Sequence, residues 1–144
     1  MLRLSEAIQA IISGGPFPGL MPRIREVTAM HEATLVRQIY RIAEQSLEGR
    51  KVKRVAAVKI SVGEMSGALP DALEFAFHAQ RSGIFEDAEL LIEKEPVAVR
   101  CKVCGEEYSP QGFPIRCPLC GDTACAFIRG DDVHVSGIQY EKED

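Results

Sequence analysis

The sequence predicts an α+β fold, a small mixed sheet with two helices, interrupted by a four-cysteine ribbon module. Three observations predict it. Stretches 33–48 and 69–83 repeat apolar residues at helical spacing. Stretches 55–62, 88–99 and 133–140 alternate, or run apolar, as strands do. Between the last two strands lie Cys101-Lys102-Val103-Cys104-Gly105 and Cys117-Pro118-Leu119-Cys120-Gly121, two pairs separated by twelve residues.

The first helix places Leu35, Val36, Ile39, Ile42, Ala43 and Leu47 on one side and Arg37, Arg41, Glu44 and Glu48 on the other, and Gly49 ends it. The basic run Arg50-Lys51-Val52-Lys53-Arg54 reads as a solvated loop. Val58, Ile60 and Val62 then alternate with Ala57, Lys59 and Ser61, as in a half-buried strand. Gly63 to Gly67 breaks the strand, and Pro70-Asp71 opens a second helix whose face is Leu69, Leu73, Ala76, Phe77 and Gln80. Ala88 to Val99 is extended and apolar, a strand leading into the first cysteine turn. Val133, Val135, Ile138 and Tyr140 mark the last strand, with Gly137 as a bulge.

Residues 1–29 read as an appended N-terminal extension. Leu4 to Ile12 has the makings of one short helix, Gly14-Gly15-Pro16-Phe17-Pro18-Gly19 is a breaker-rich linker, and Met21 to Ala29 has no period. The expected organisation is therefore this extension, an α/β domain at 30–95 completed by 131–141, and a ribbon domain at 96–130.

The paired cysteines define a closed tetrahedral site. Each C-x-x-C turn brings two thiolates to one side, and two turns supply the four soft ligands that zinc takes without vacancy, so Cys101, Cys104, Cys117 and Cys120 are the zinc ligands of a zinc ribbon. Gly105 and Gly121 suit the left-handed closure of such knuckles. Disulfides require an oxidising compartment, and a redox C-x-x-C normally opens a helix rather than lying among Gly and Pro. Iron also accepts four thiolates, since sulfur ligands alone do not choose the metal. Few large apolar residues lie near the cysteines, so the segment should depend on its zinc to fold.

With 144 residues and 46% hydrophobic content, the chain can bury one ordinary core. The net charge is −4, and 131–144 holds five acids against Lys142 alone. In the ribbon, Arg100, Lys102 and Arg116 balance Glu106, Glu107 and Asp122, so four thiolates and one divalent cation leave about −2. Such a surface repels phosphate backbones and disfavours a nucleic-acid module. No apolar run approaches a membrane span and no signal pattern opens the chain, which points to a cytoplasmic protein.

Met30-His31-Glu32 precedes the first helix, Val-Lys-Ile-Ser-Val-Gly-Glu-Met-Ser-Gly occupies 58–67, Glu-Lys-Glu-Pro-Val occupies 93–97, and the two cysteine pairs follow with their glycines. In these motifs, from Met30 to Glu141, the chain resembles the HypA/HybF family of nickel-insertion accessory proteins in nickel–iron hydrogenase maturation. The resemblance implies a nickel metallochaperone in which Met30, His31 and Glu32 bind Ni(II) as transferable cargo and the ribbon holds structural zinc. A terminal amine, adjacent amides and an imidazole can enclose Ni(II) in a square-planar nitrogen set. Family members begin at the methionine equivalent to Met30, whereas here Met30 follows Ala29 and its nitrogen is an amide. The expectation is that Met30 is the functional start and that 1–29 come from an upstream start assignment. Implied partners are the hydrogenase large-subunit precursor and a nickel-handling GTPase of the same pathway, with a homodimer left open and neither nucleic acid nor membrane among the partners.

The residues alone leave other readings. A rubredoxin-like electron carrier would be red, with a one-electron couple, and a zinc-ribbon nucleic-acid module would bind in a salt-sensitive way. His31 by itself is an ordinary helix-start neighbour, His78 a helix residue, and His134, alternating with Val133 and Val135, a residue facing solvent. Cys125 reads as a small apolar group near the ribbon's exit. With three histidines and no nucleophile triad or phosphate loop, the expected protein is not an enzyme.

Overall fold

The computed structural model describes residues 10–13, 23–24 and 31–143. Its elements are β1 (Ala10–Ser13), β2 (Arg23–Ile24), α1 (Glu32–Ser46), β3 (Val52–Gly63), α2 (Pro70–Ala79), a 3-10 turn (Gly83–Phe85), β4 (Glu89–Glu95), β5 (Ala98–Cys101), β6 (Glu107–Tyr108), β7 (Cys125–Arg129) and β8 (Val133–Lys142). The expected order of helix, strand, helix, strand, ribbon, strand is observed.

The main sheet is mixed and runs β1-β8-β3-β4, with β2 also on β8. β3 pairs with β4 in parallel, and every other pair in the sheet is antiparallel. The parallel pair requires a crossover, which α2 and the 3-10 turn provide. α1 buries Leu35, Val36, Ile39, Ile42 and Ala43, and α2 buries Leu73, Ala76 and Phe77, in a core shared with Val55, Val58 and Ile60 of β3 and Ile138 and Tyr140 of β8. Each of the Val, Leu, Ile and Phe side chains in this set contributes roughly 1.5–3 kcal/mol by leaving water. The edge strand β4 alternates Glu89, Leu91 and Glu93 outward, a charged border that discourages further strand pairing.

Several boundaries differ from expectation. Lys53 and Arg54 lie in β3 rather than in a loop, because Val52 pairs with Lys142 and Arg54 with Glu141. Their charged ends stay in water and both meet Glu141, at 3.5 Å and 2.7 Å. The single strand expected over 88–99 is two, β4 and β5, in separate sheets; Pro96 cannot donate to a ladder and separates them. The ladder between β3 and β8 shifts register between Lys59/Gly137 and Ile60/Val135, so the irregularity expected at Gly137 involves Ser136 beside it.

The upstream segment also joins the sheet. Ala10 to Ile12, expected at the end of a short helix, is strand and pairs with Tyr140 to Ile138, and 4–9 lie outside the described residues. Arg23–Ile24, in a stretch without a period, pairs with His134 and Val133, and Ile24 is buried in the core. β8 would otherwise present an open row of amide and carbonyl groups, which these strands satisfy. Among the described residues no helix is long and apolar enough to cross a membrane.

Candidate metal centre

The second sheet, β6-β5-β7, carries the cysteines. Both C-x-x-C-G segments fold into the same turn. In the first, the Gly105 N–H donates to the Cys101 carbonyl at 3.0 Å and the Cys101 N–H to the Glu106 carbonyl at 2.8 Å. In the second, the Gly121 N–H donates to Cys117 and the Cys117 N–H to Asp122, both at 2.9 Å. The turns close on Gly105 and Gly121 at φ 80° and 78°, a conformation that costs a residue with a Cβ and costs glycine nothing.

The turns face each other. Cys101 Sγ lies 3.5 Å from Cys120 Sγ, Cys104 Sγ lies 3.5 Å from Cys117 Sγ, and all four sulfurs fall within 4.8 Å of one another. Four thiolates about 2.3 Å from a tetrahedral zinc stand about 3.8 Å apart, so the donor set fits that ion. No sulfur is in a disulfide. The Cys104 backbone N–H, then that of Val103, hold the Cys101 thiol down to about 7 against the effect of burial. The Cys120 and Leu119 N–H groups lower Cys117 in the same way. Cys104 is pushed up to about 12: the Glu106 N–H, its largest influence, opposes this, but burial and the neighbouring cysteine sulfurs outweigh it. Four thiols this close cannot all ionise without a cation among them. Zinc held by these thiolates would supply the cross-link that the ribbon's own packing lacks, since Val103, Phe113 and Leu119 are 64%, 79% and 71% exposed. Cys125 pairs across β5 and β7 with Cys101, is half-buried, and lies outside the four-sulfur group.

His31 sits apart from that centre. It caps α1 with φ −76° and ψ 149°, its carbonyl accepts the N–H groups of Thr34 and Leu35 at 3.0 Å, and its exposed side chain makes no capping bond. Glu32 begins the helix and Met30 lies outside the described residues. Among the described residues, His31 belongs to neither side-chain group with metal-ligand spacing.

The second such group is Glu95, Asp132 and His134. Expected to face solvent, His134 is instead 19% exposed, with Nδ1 3.7 Å from carboxylate oxygens of both Glu95 and Asp132. Alternation along β8 gives no sign that the end of β4 returns to the same place.

A two-helix α+β domain joined to a ribbon whose four cysteine sulfurs are gathered at metal-ligand spacing defines the class, a small α+β protein carrying a four-cysteine ribbon. The protein-family profile described as "Hydrogenase/urease nickel incorporation, metallochaperone, hypA" matches residues 30–140. The hydrogenase maturation factors HypA of Moorella thermoacetica and Geobacter metallireducens are each 36% identical over 113 residues, covering 78% of this chain and 100% of the relative. The solution structure of the Ni metallochaperone HypA from Helicobacter pylori superposes with a TM-score of 0.66 at 23% identity, covering 79% of this chain and 100% of that one. The chain belongs to the HypA family.

Proposed function

We propose that this protein carries Ni(II) and helps insert it into the large subunit of nickel–iron hydrogenase during maturation. The reading rests on membership of a nickel-incorporation metallochaperone family. It makes the protein a carrier rather than an enzyme, working in the cytoplasm with the large-subunit precursor and a nickel-handling GTPase. The electron-carrier and nucleic-acid readings, compatible with the cysteines alone, give way to that family.

In this reading Cys101, Cys104, Cys117 and Cys120 hold structural zinc while the nickel ligands lie at Met30, His31 and Glu32. The supporting observation is the placement of His31: exposed, with no side-chain capping bond, at the first residue outside α1. Its imidazole is available to a metal without disturbing the core. The amide end of a helix carries roughly half a positive charge, which works against a cation and suits cargo that must leave. A four-nitrogen set needs the Met30 nitrogen and adjacent amides beside the imidazole. Such a set draws Ni(II) into a planar, diamagnetic form.

The test is Ni(II) titration of the zinc-loaded protein, with intact mass recorded to establish whether residues 1–29 are present. One equivalent of planar Ni(II), read from its visible absorption, should bind and exchange readily. His31→Ala should abolish that absorption while leaving zinc content and far-UV circular dichroism unchanged. Persistence of the planar species in His31→Ala would refute the assignment.

A further inference from the structure

We propose a second divalent-cation site, formed by Glu95, Asp132 and His134, at the point where the ribbon joins the α/β domain. Glu95 is the last residue of β4, one position before Pro96 leads into the ribbon. Asp132 and His134 flank the start of β8, just after the ribbon returns through Gly130. The site therefore ties the outgoing chain to the incoming one.

The donors are spaced for a metal rather than for each other. His134 Nδ1 is 3.7 Å from Glu95 Oε2 and 3.7 Å from Asp132 Oδ1. Both separations are too long for a hydrogen bond. Ligands about 2.0–2.2 Å from a common ion stand roughly 3–4.2 Å apart, and the three donor atoms lie within 4.8 Å of one another, a span that small side-chain rotations close. His134 Nδ1 is buried and makes no hydrogen bond among the described residues. A dication placed between the three would be within ligating reach of all of them.

The surroundings hold these groups in place. Ser61, itself buried, donates its hydroxyl to Glu95 Oε2 at 3.0 Å and so orients the carboxylate. The Gly63 N–H donates to the Asp132 carbonyl at 2.8 Å and the Glu64 N–H to the Glu95 carbonyl at 3.0 Å, so the end of β3 fixes both backbones. The Met65 N–H adds a bond to the Gly130 carbonyl at 2.8 Å. Two carboxylates and one imidazole, with further positions open to water, suit first-row divalent ions such as Mn(II), Co(II) or Zn(II). They do not make the planar nitrogen set proposed at His31.

Co(II) is the probe, added to zinc-loaded full-length His31→Ala protein so that only the junction site is measured. One equivalent should bind with the weak visible bands of an oxygen–nitrogen environment. It should also slow hydrogen exchange of the amides at 97 and 130–132. His134→Gln and Glu95→Gln, placed singly in that background, should each weaken Co(II) binding about 10–100-fold or more, with zinc content and circular dichroism retained. Failure of Co(II) to bind, equal binding by both variants, or intense thiolate-to-cobalt bands marking exchange into the ribbon as the sole event would each overturn the proposal. None of these outcomes bears on the planar nickel species, which is read in protein with His31 intact.

Discussion

The Tyr40 hydroxyl donates a 2.6 Å hydrogen bond to the Phe77 carbonyl while the two rings stack at 4.7 Å, so one residue of α1 grips α2 by both its polar and its apolar parts. The same ring meets Phe85 edge-on at 5.0 Å. Tyr40→Phe keeps the stacking and removes the hydroxyl, and should cost about 1 kcal/mol in chemical denaturation. Burial, against a smaller opposing influence from Arg81, raises the Tyr40 pKa to about 12. The neutral phenol is thus favoured by folding. Its contribution should be complete below the ordinary value of 10.0 and fade as pH rises toward 12, a loss that Tyr40→Phe should not undergo.

Cys104→Ser, or chelation of the metal, should unfold the ribbon and spare the α/β domain. The four sulfurs are gathered in a module that leaves Val103, Phe113, Leu119 and Phe127 exposed, and metal binding in small zinc modules contributes on the order of 10 kcal/mol of folding free energy. Amide NMR spectra should show 98–129 collapsing to random-coil shifts while Ile39 and Phe77 keep native ones. Loss of the native core signals as well would mean that the two modules fold as one.

Gly63→Ala should disturb the junction. A Cβ at Gly63 would stand 2.3 Å from the carbonyl carbon and oxygen of Gly130, both of them backbone atoms without room to turn aside. A loss of about 1–3 kcal/mol is expected, with exchange protection falling first at the Met65 amide, which bonds to that carbonyl.

Acid should remove a smaller contribution at the far end of the sheet. The Arg54 guanidinium hydrogen-bonded to Glu141, with Lys53 nearby, holds this carboxyl below its ordinary value of 4.5. Folding therefore favours the ionised form, and the stabilisation is present above that value and lost as pH falls through the depressed one. Glu141→Gln should lower the thermal midpoint slightly at neutral pH, and the difference from the unaltered protein should vanish in acid.

The sequence made periodic and local features legible. Leu35, Ile39, Ile42 and Ala43 lie on the face their spacing required, and the repeated C-x-x-C-G segments form the same turn twice. What escaped was pairing between distant residues. Lys53 and Arg54 lack apolar alternation yet belong to β3 because β8 lies beside them. Ile24 enters the core through a two-residue strand too short for any pattern. His134 was misplaced for the same reason, since its surroundings come from the end of β4, beyond the whole ribbon in sequence. The proposed nickel position rests on resemblance alone, because an exposed histidine before a helix has no physical mark of its own.

The position of β8 in chain order sets a timetable for synthesis. This strand lies inside the main sheet, with β3 on one side and β1 and β2 on the other, but every cysteine leaves the ribosome before it does. Until Val133 to Lys142 emerge, β3 has no antiparallel neighbour and the apolar faces of α1 and α2 wait on an unfinished sheet. The thiols are meanwhile free to meet a metal. In the growing chain, zinc capture can precede closure of the core, so the ribbon is positioned to bring the last strand back toward its place as soon as it appears.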